Sequence, residues 1–109
     1  MTKSLGNMNT VWSNKFRKRI KSFFDYCADN YGETVAQKKQ ENFENIISRI
    51  EMFPESYRIE PLLQDKAKEY RAVNFEKDFK IIYSVGKDEI RLENLWNTKK
   101  NPSKLKKDI

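Results

Sequence analysis

The sequence predicts an α+β fold: a two-helix hairpin packed on one face of a small, twisted antiparallel β-sheet. Two periods carry that prediction. In the first half of the chain apolar residues recur at three- and four-residue spacings, the signature of helices buried along one side. In the second half they alternate, the signature of strands half-buried on a core. Helices first and strands afterwards segregate into two layers, which separates this class from alternating α/β folds.

Each element has a local reason. Residues 1–8 are polar and patternless and read as a flexible lead-in to a single domain spanning 9–109. "NTVWS" (9–13) is short and β-prone, an extra strand for the sheet, and Ser13 or Asn14 can cap a following helix. "NKFRKRIKSFFDYCADNY" places Phe16, Ile20, Phe23, Phe24, Cys27 and Tyr31 on one helical face. Gly32 then ends that helix. Thr34 and Gln37 have capping-box spacing for a second helix, whose apolar positions are Ala36, Phe43, Ile46, Ile47, Ile50 and Phe53. Pro54 stops it, and residues 54–68 form an irregular crossing. "EYRAVN" (69–74), "FKIIYSV" (79–85) and "IRLENLW" (90–96) read as an antiparallel meander with a turn at 86–89.

If the helices cover Ile81, Tyr83 and Val85, the opposite face carries Lys80, Ile82 and Ser84, with Arg71 and Val73 beside them on the neighbouring strand. That face is expected to be open and basic. "LWNTKKNPSKLKK" (95–107) then runs five lysines along its margin. Either these lysines are a solvated tail, or they extend a binding surface.

Composition narrows the chemistry. There are 22 Lys and Arg against 16 Asp and Glu, a net charge of +6, which favours an anionic or acidic partner. No histidine is present, so Ser-His and Cys-His catalysis and histidine metal sites are excluded. The single cysteine, Cys27, sits at an apolar helical position and reads as core packing. No metal or cofactor is expected. No apolar run approaches the ~20 residues of a membrane span, and no signal-peptide pattern is seen, so a cytoplasmic protein without membrane contact is expected.

The order helix, helix, "YRAV", "FKIIYSV", turn, "IRLENLWNTKKNP" resembles the RelE/ParE superfamily of type II toxin–antitoxin toxins across residues 9–109. The resemblance implies a small growth-inhibiting toxin neutralised by a cognate antitoxin, often through an acidic segment that folds on the toxin surface. It also implies one of two targets. RelE-like members cleave mRNA on the ribosome, and ParE-like members block DNA gyrase without being nucleases.

For the nuclease branch, Lys80 matches the basic residue that heads the corresponding catalytic strand. Arg71 matches a basic position on the preceding strand, and Lys99 or Lys100 a basic residue after the last. Glu60, in "IEPL", resembles the general base of YoeB-like members. Two departures weigh against that branch: no Tyr or His follows Tyr83, and Val73 stands where RelE-like members carry a second strand lysine. For the gyrase branch, Trp96 would anchor a protein partner inside a rim of Arg91, Lys104, Lys106 and Lys107. Trp96 fits a core or sheet-edge position better than a surface anchor.

A third class is a basic RNA- or protein-binding domain, or a non-toxic family member that titrates an antitoxin. Trp12, Tyr70 and Trp96 would stack on single-stranded bases, and Lys15, Arg17, Lys18, Arg19 and Lys21 would meet phosphates.

Overall fold

The computed structural model describes residues 8–109, so the lead-in expected over 1–8 lies, apart from Met8, outside the described residues. The chain opens with strand β1 (Asn9–Trp12), then helices α1 (Asn14–Tyr31) and α2 (Glu33–Met52). A 3₁₀ turn (Pro61–Leu63) precedes strands β2 (Tyr70–Phe75), β3 (Phe79–Val85) and β4 (Glu89–Asn97). A second 3₁₀ turn (Pro102–Lys104) leads into the short helix α3 (Leu105–Asp108).

Ser13 caps α1 as expected. Its Oγ accepts the Phe16 N–H and donates to the Glu93 carbonyl, so one side chain ties the helix start to the sheet. The expected capping box of α2 is absent. Thr34 lies inside the helix, because Gly32 alone joins the two helices. At φ 93° it takes a conformation few side chains tolerate, and its carbonyl accepts the Ala36 N–H to start the first turn of α2. Tyr31 and Phe53 also depart from expectation: both are 58% exposed, at the C-terminal ends of α1 and α2.

The hairpin buries Phe16, Ile20, Phe43 and Ile50 against Phe75, Ile81, Tyr83, Ile90, Leu92 and Leu95 of the sheet. Trp12, Phe16, Phe24, Phe43 and Phe75 meet mostly edge to face, the arrangement that ring quadrupoles favour. The Tyr83 hydroxyl donates to the Pro54 carbonyl, which anchors the crossing segment, and burial pushes this phenol up to about 12.

The strand order is β1-β4-β3-β2. Strands β2, β3 and β4 form the expected antiparallel meander, whereas β1 runs parallel to β4. The Ser13 N–H, bonded to the Leu92 carbonyl, continues that parallel register into the helix cap. A β-bulge leaves Glu93 as an extra residue in β4, between the pairs Tyr83–Leu92 and Ile82–Asn94. The bulge resets the alternation, so Ile90, Leu92 and Leu95 all face the helices although the last spacing is odd.

Two expectations about the faces are corrected by register. Arg71 pairs with Tyr83 and Val73 with Ile81, so both belong to the helix-side face rather than to that of Lys80. The second face is also covered, not open. Leu63, Tyr70, Ile82, Trp96 and Leu105 form a second core there, roofed by the 3₁₀ turn at Pro61–Leu63 and by the C-terminal segment.

Candidate functional site

Of the candidate catalytic residues, the structure brings Lys80 and Glu60 together. Residues 58–60 lie along the outer edge of β2. The Glu60 N–H donates to the Tyr70 carbonyl and the Ala72 N–H to the Arg58 carbonyl. This places the Glu60 carboxylate, 1% exposed, beneath the sheet edge. There Lys80 Nζ lies 2.8 Å from Oε1, while the Leu62 N–H donates to Oε2 at 3.0 Å. The carboxylate therefore caps the 3₁₀ turn and neutralises Lys80. A shallow groove of about 360 Å³ opens beside the pair, lined by Tyr57, Arg58, Ala72 and Asn74. With both oxygens engaged, Glu60 is placed to hold structure rather than to take a proton.

Arg71 is elsewhere. Its guanidinium donates to the carbonyls of Glu55 (3.1 Å) and Tyr57 (2.6 Å) and to Glu69 (3.2 Å), on the far face from Lys80. Its buried Nε has no partner among the described residues. Lys99 pairs with Asp78 at 3.4 Å, and Lys100 Nζ lies 5.8 Å from the centre of the Trp96 ring. The five candidates do not converge on one reacting position.

The protein-docking set divides in a similar way. Trp96 is 4% exposed, which removes it as a surface anchor: its pairing with Lys80 points it into the second core under Leu105. Lys104 and Lys107 are exposed. Lys106 reaches Asp65 at 2.8 Å, pinning the C-terminal segment to the crossing. Arg91 lies 3.4 Å from Glu93, whose carboxylate also accepts from Lys68 and Ser84. The stacking set fares alike, with Tyr70 and Trp96 buried and Trp12 packed on Phe16 and Phe43.

The contacts that hold the C-terminal segment down were not expected from the sequence. Asp108 accepts from Lys15, Arg19 and Asn94, and Arg19 also donates to the fully buried Asn94 at 2.6 Å. A signal was present: Leu105 and Ile109 stand four apart behind "NPS", where Asn101 caps Pro102–Lys104. Burial alone would raise the Asp108 carboxyl, but the hydrogen bonds from Arg19, Asn94 and Lys15 outweigh it and hold it far below the usual carboxylate range. A depressed folded pKa contributes stability above the unfolded value and loses it as pH falls. The wild type is therefore expected to be more stable than Asp108→Asn at neutral pH. That difference should shrink as pH drops below about 4, read by urea unfolding at stepped pH.

A larger groove, about 770 Å³, runs between α1, the β2–β3 turn and the end of β4. Phe23, Tyr26 and Phe79 line it, with Lys77, Lys99 and Lys100 at its rim. Cys27 lies buried at its base, and burial pushes its thiol up. Among the described residues no cluster suited to a metal ion occurs, and no helix is long and apolar enough to cross a membrane.

Comparison with known proteins agrees with this geometry. The family model described as the ParE toxin of the type II toxin–antitoxin system, parDE, matches residues 10–102. Among solved structures, the chain is similar to one from the chromosomal ParDE system of P. aeruginosa, with a TM-score of 0.67 at 15% identity, covering 84% of this chain and 97% of that one. It is also similar to a chain of the E. coli DinJ–YafQ complex, with a TM-score of 0.51 at 22% identity, covering 83% and 92%. YafQ from E. coli strain BL21(DE3) gives a TM-score of 0.52 at 22% identity, covering 84% and 94%. At these identities the likeness is one of fold. No curated protein matches the sequence. With the family model spanning most of the chain and the helical hairpin packed on its sheet, the protein belongs to the ParE toxin family of type II toxin–antitoxin systems.

Proposed function

We propose that the protein is a cytoplasmic toxin that a cognate antitoxin neutralises, and that it inhibits growth by binding DNA gyrase through its surface rather than by cutting RNA. One observation carries the choice of target: the groups that RNA cleavage would need are dispersed, and most of them are already engaged. Arg71 is spent on loop carbonyls behind the sheet, Glu60 has both oxygens bonded, and Lys99 is paired with Asp78. Cleavage through 2′-OH attack needs a base, an acid and positive charge around one phosphate.

A protein-docking role fits the exposed charge better. Lys104 and Lys107 project from the C-terminal segment, with Arg91 and Lys106 as further basic groups. Trp96 supports that segment from below, packed with Leu105 in the second core. The antitoxin is an acidic protein segment that folds on the toxin, as suits a net charge of +6. Solved relatives include complexes, ParDE and DinJ–YafQ, whose toxin chains share this fold.

A ribosome-dependent nuclease is the second reading, favoured by the Lys80–Glu60 contact beside an open groove. Mapping mRNA 5′ ends in a translating extract separates the two. No new ends within ribosome-bound codons are expected on adding the purified protein. Ends that appear there, and disappear with Lys80→Ala, would establish the nuclease.

A further inference from the structure

The groove between α1 and the β2–β3 turn joins an aromatic lining to a basic rim. Its apolar surface is aromatic. Phe23 and Phe79 are half-buried along its floor, and Tyr26, 57% exposed, stands edge to face with Tyr31 at its mouth. The non-aromatic apolar residues that line it, Leu95 and Cys27, are buried.

The rim is basic. Lys39 is paired with Glu76 and Lys99 with Asp78, but Lys18, Lys77 and Lys100 have no carboxylate partner among the described residues. Glu76 holds the turn in place from the left-handed region, at φ 52°, while accepting from Lys39 and Asn42 of α2. Lys77, next in sequence, is thereby presented outward on a braced turn.

Accessible rings beneath unpaired lysines suit single-stranded nucleic acid, because every nucleobase has a face that stacks and every nucleotide carries a phosphate. We infer that this groove binds single-stranded nucleic acid, with bases on Tyr26 and Phe79 and phosphates on Lys18, Lys77 and Lys100. The site is separate from the Lys80–Glu60 pair and does not depend on which target the toxin inhibits. It also replaces the stacking set expected from the sequence, whose Tyr70 and Trp96 are buried.

The test is fluorescence anisotropy of a labelled oligouridylate of about ten nucleotides, within the site sizes of such grooves. Three phosphate contacts predict a roughly twentyfold loss of affinity between about 50 and about 200 mM salt. Tyr26→Ala and Lys77→Glu change exposed side chains, so the fold is retained, and each is expected to weaken binding about tenfold or more. Lys87→Glu, in the turn at the opposite end of the sheet, is expected to weaken it much less. An RNA duplex should bind more weakly than the single strand, since its bases cannot stack on the rings. Absence of salt-dependent binding, indifference to both groove variants, or equal affinity for the duplex would each overturn the inference. So would protection of Lys77 and Tyr26 by the purified antitoxin in a protein that binds no oligonucleotide, which would make the groove a protein-docking site.

Discussion

Replacing Trp96 by alanine is expected to lower the unfolding free energy by about 3–5 kcal/mol, among the largest losses available to one substitution in this chain. The indole is nearly fully buried and shares the second core with Ile82, Leu63, Tyr70 and Leu105. Removing it leaves a cavity under a segment held by few other apolar contacts. Leu105 and Ile109 would lose the largest ring of the core they pack into, so residues 102–109 should also loosen ahead of global unfolding. Denaturant titration gives the stability, and amide exchange over Leu105–Asp108 gives the local effect. A surface anchor would behave oppositely, with stability unchanged and partner affinity reduced. A stable Trp96→Ala protein with an unaltered C-terminal segment would contradict the second core.

Lys80→Ala is expected to cost about 2–3 kcal/mol of stability while leaving growth inhibition intact. The substitution strands the Glu60 carboxylate in a buried position, and breaking such a pair from one side is strongly destabilising. Two features keep the loss toward the low end: Lys80 is partly exposed, and Glu60 retains the Leu62 N–H. Removing both partners should recover part of the loss, because no unpaired charge then remains. The comparison is made at equal levels of folded protein, read by denaturant unfolding and by growth after induction. Loss of growth inhibition in a folded Lys80→Ala protein would return Lys80 to a catalytic role.

Local signals gave the elements, and long-range register withheld the faces. Phe79–Val85 was legible from alternation alone, and the break between the helices from Gly32. The side on which Arg71 and Val73 fall depends on the pairing of Phe75 with Phe79 across the turn, which no property of "YRAV" encodes. The bulge at Glu93 was equally hidden, since a bulge breaks the period by which a strand is read. Leu105 and Ile109 were obscured by the lysines around them, although charge on one side of a short turn leaves the other free to pack. Those lysines are thus neither a loose tail nor the edge of an open sheet, but the outer surface of a folded cap. Of the candidate site, Lys80 and Glu60 were legible as a pair of chemistries. That each satisfies the other was not, because it depends on residues 58–60 pairing with the edge of β2.

Incubating the purified protein with DNA gyrase, ATP and relaxed plasmid, then trapping with detergent and protease, tests the proposed action on gyrase by surface contact. Loss of supercoiling and a rising fraction of cleaved plasmid are expected as the protein is titrated. Lys104→Glu with Lys107→Glu should weaken the effect, and Lys80→Ala should not. Full supercoiling with no cleaved plasmid across the titration, from protein that inhibits growth when expressed, would contradict it.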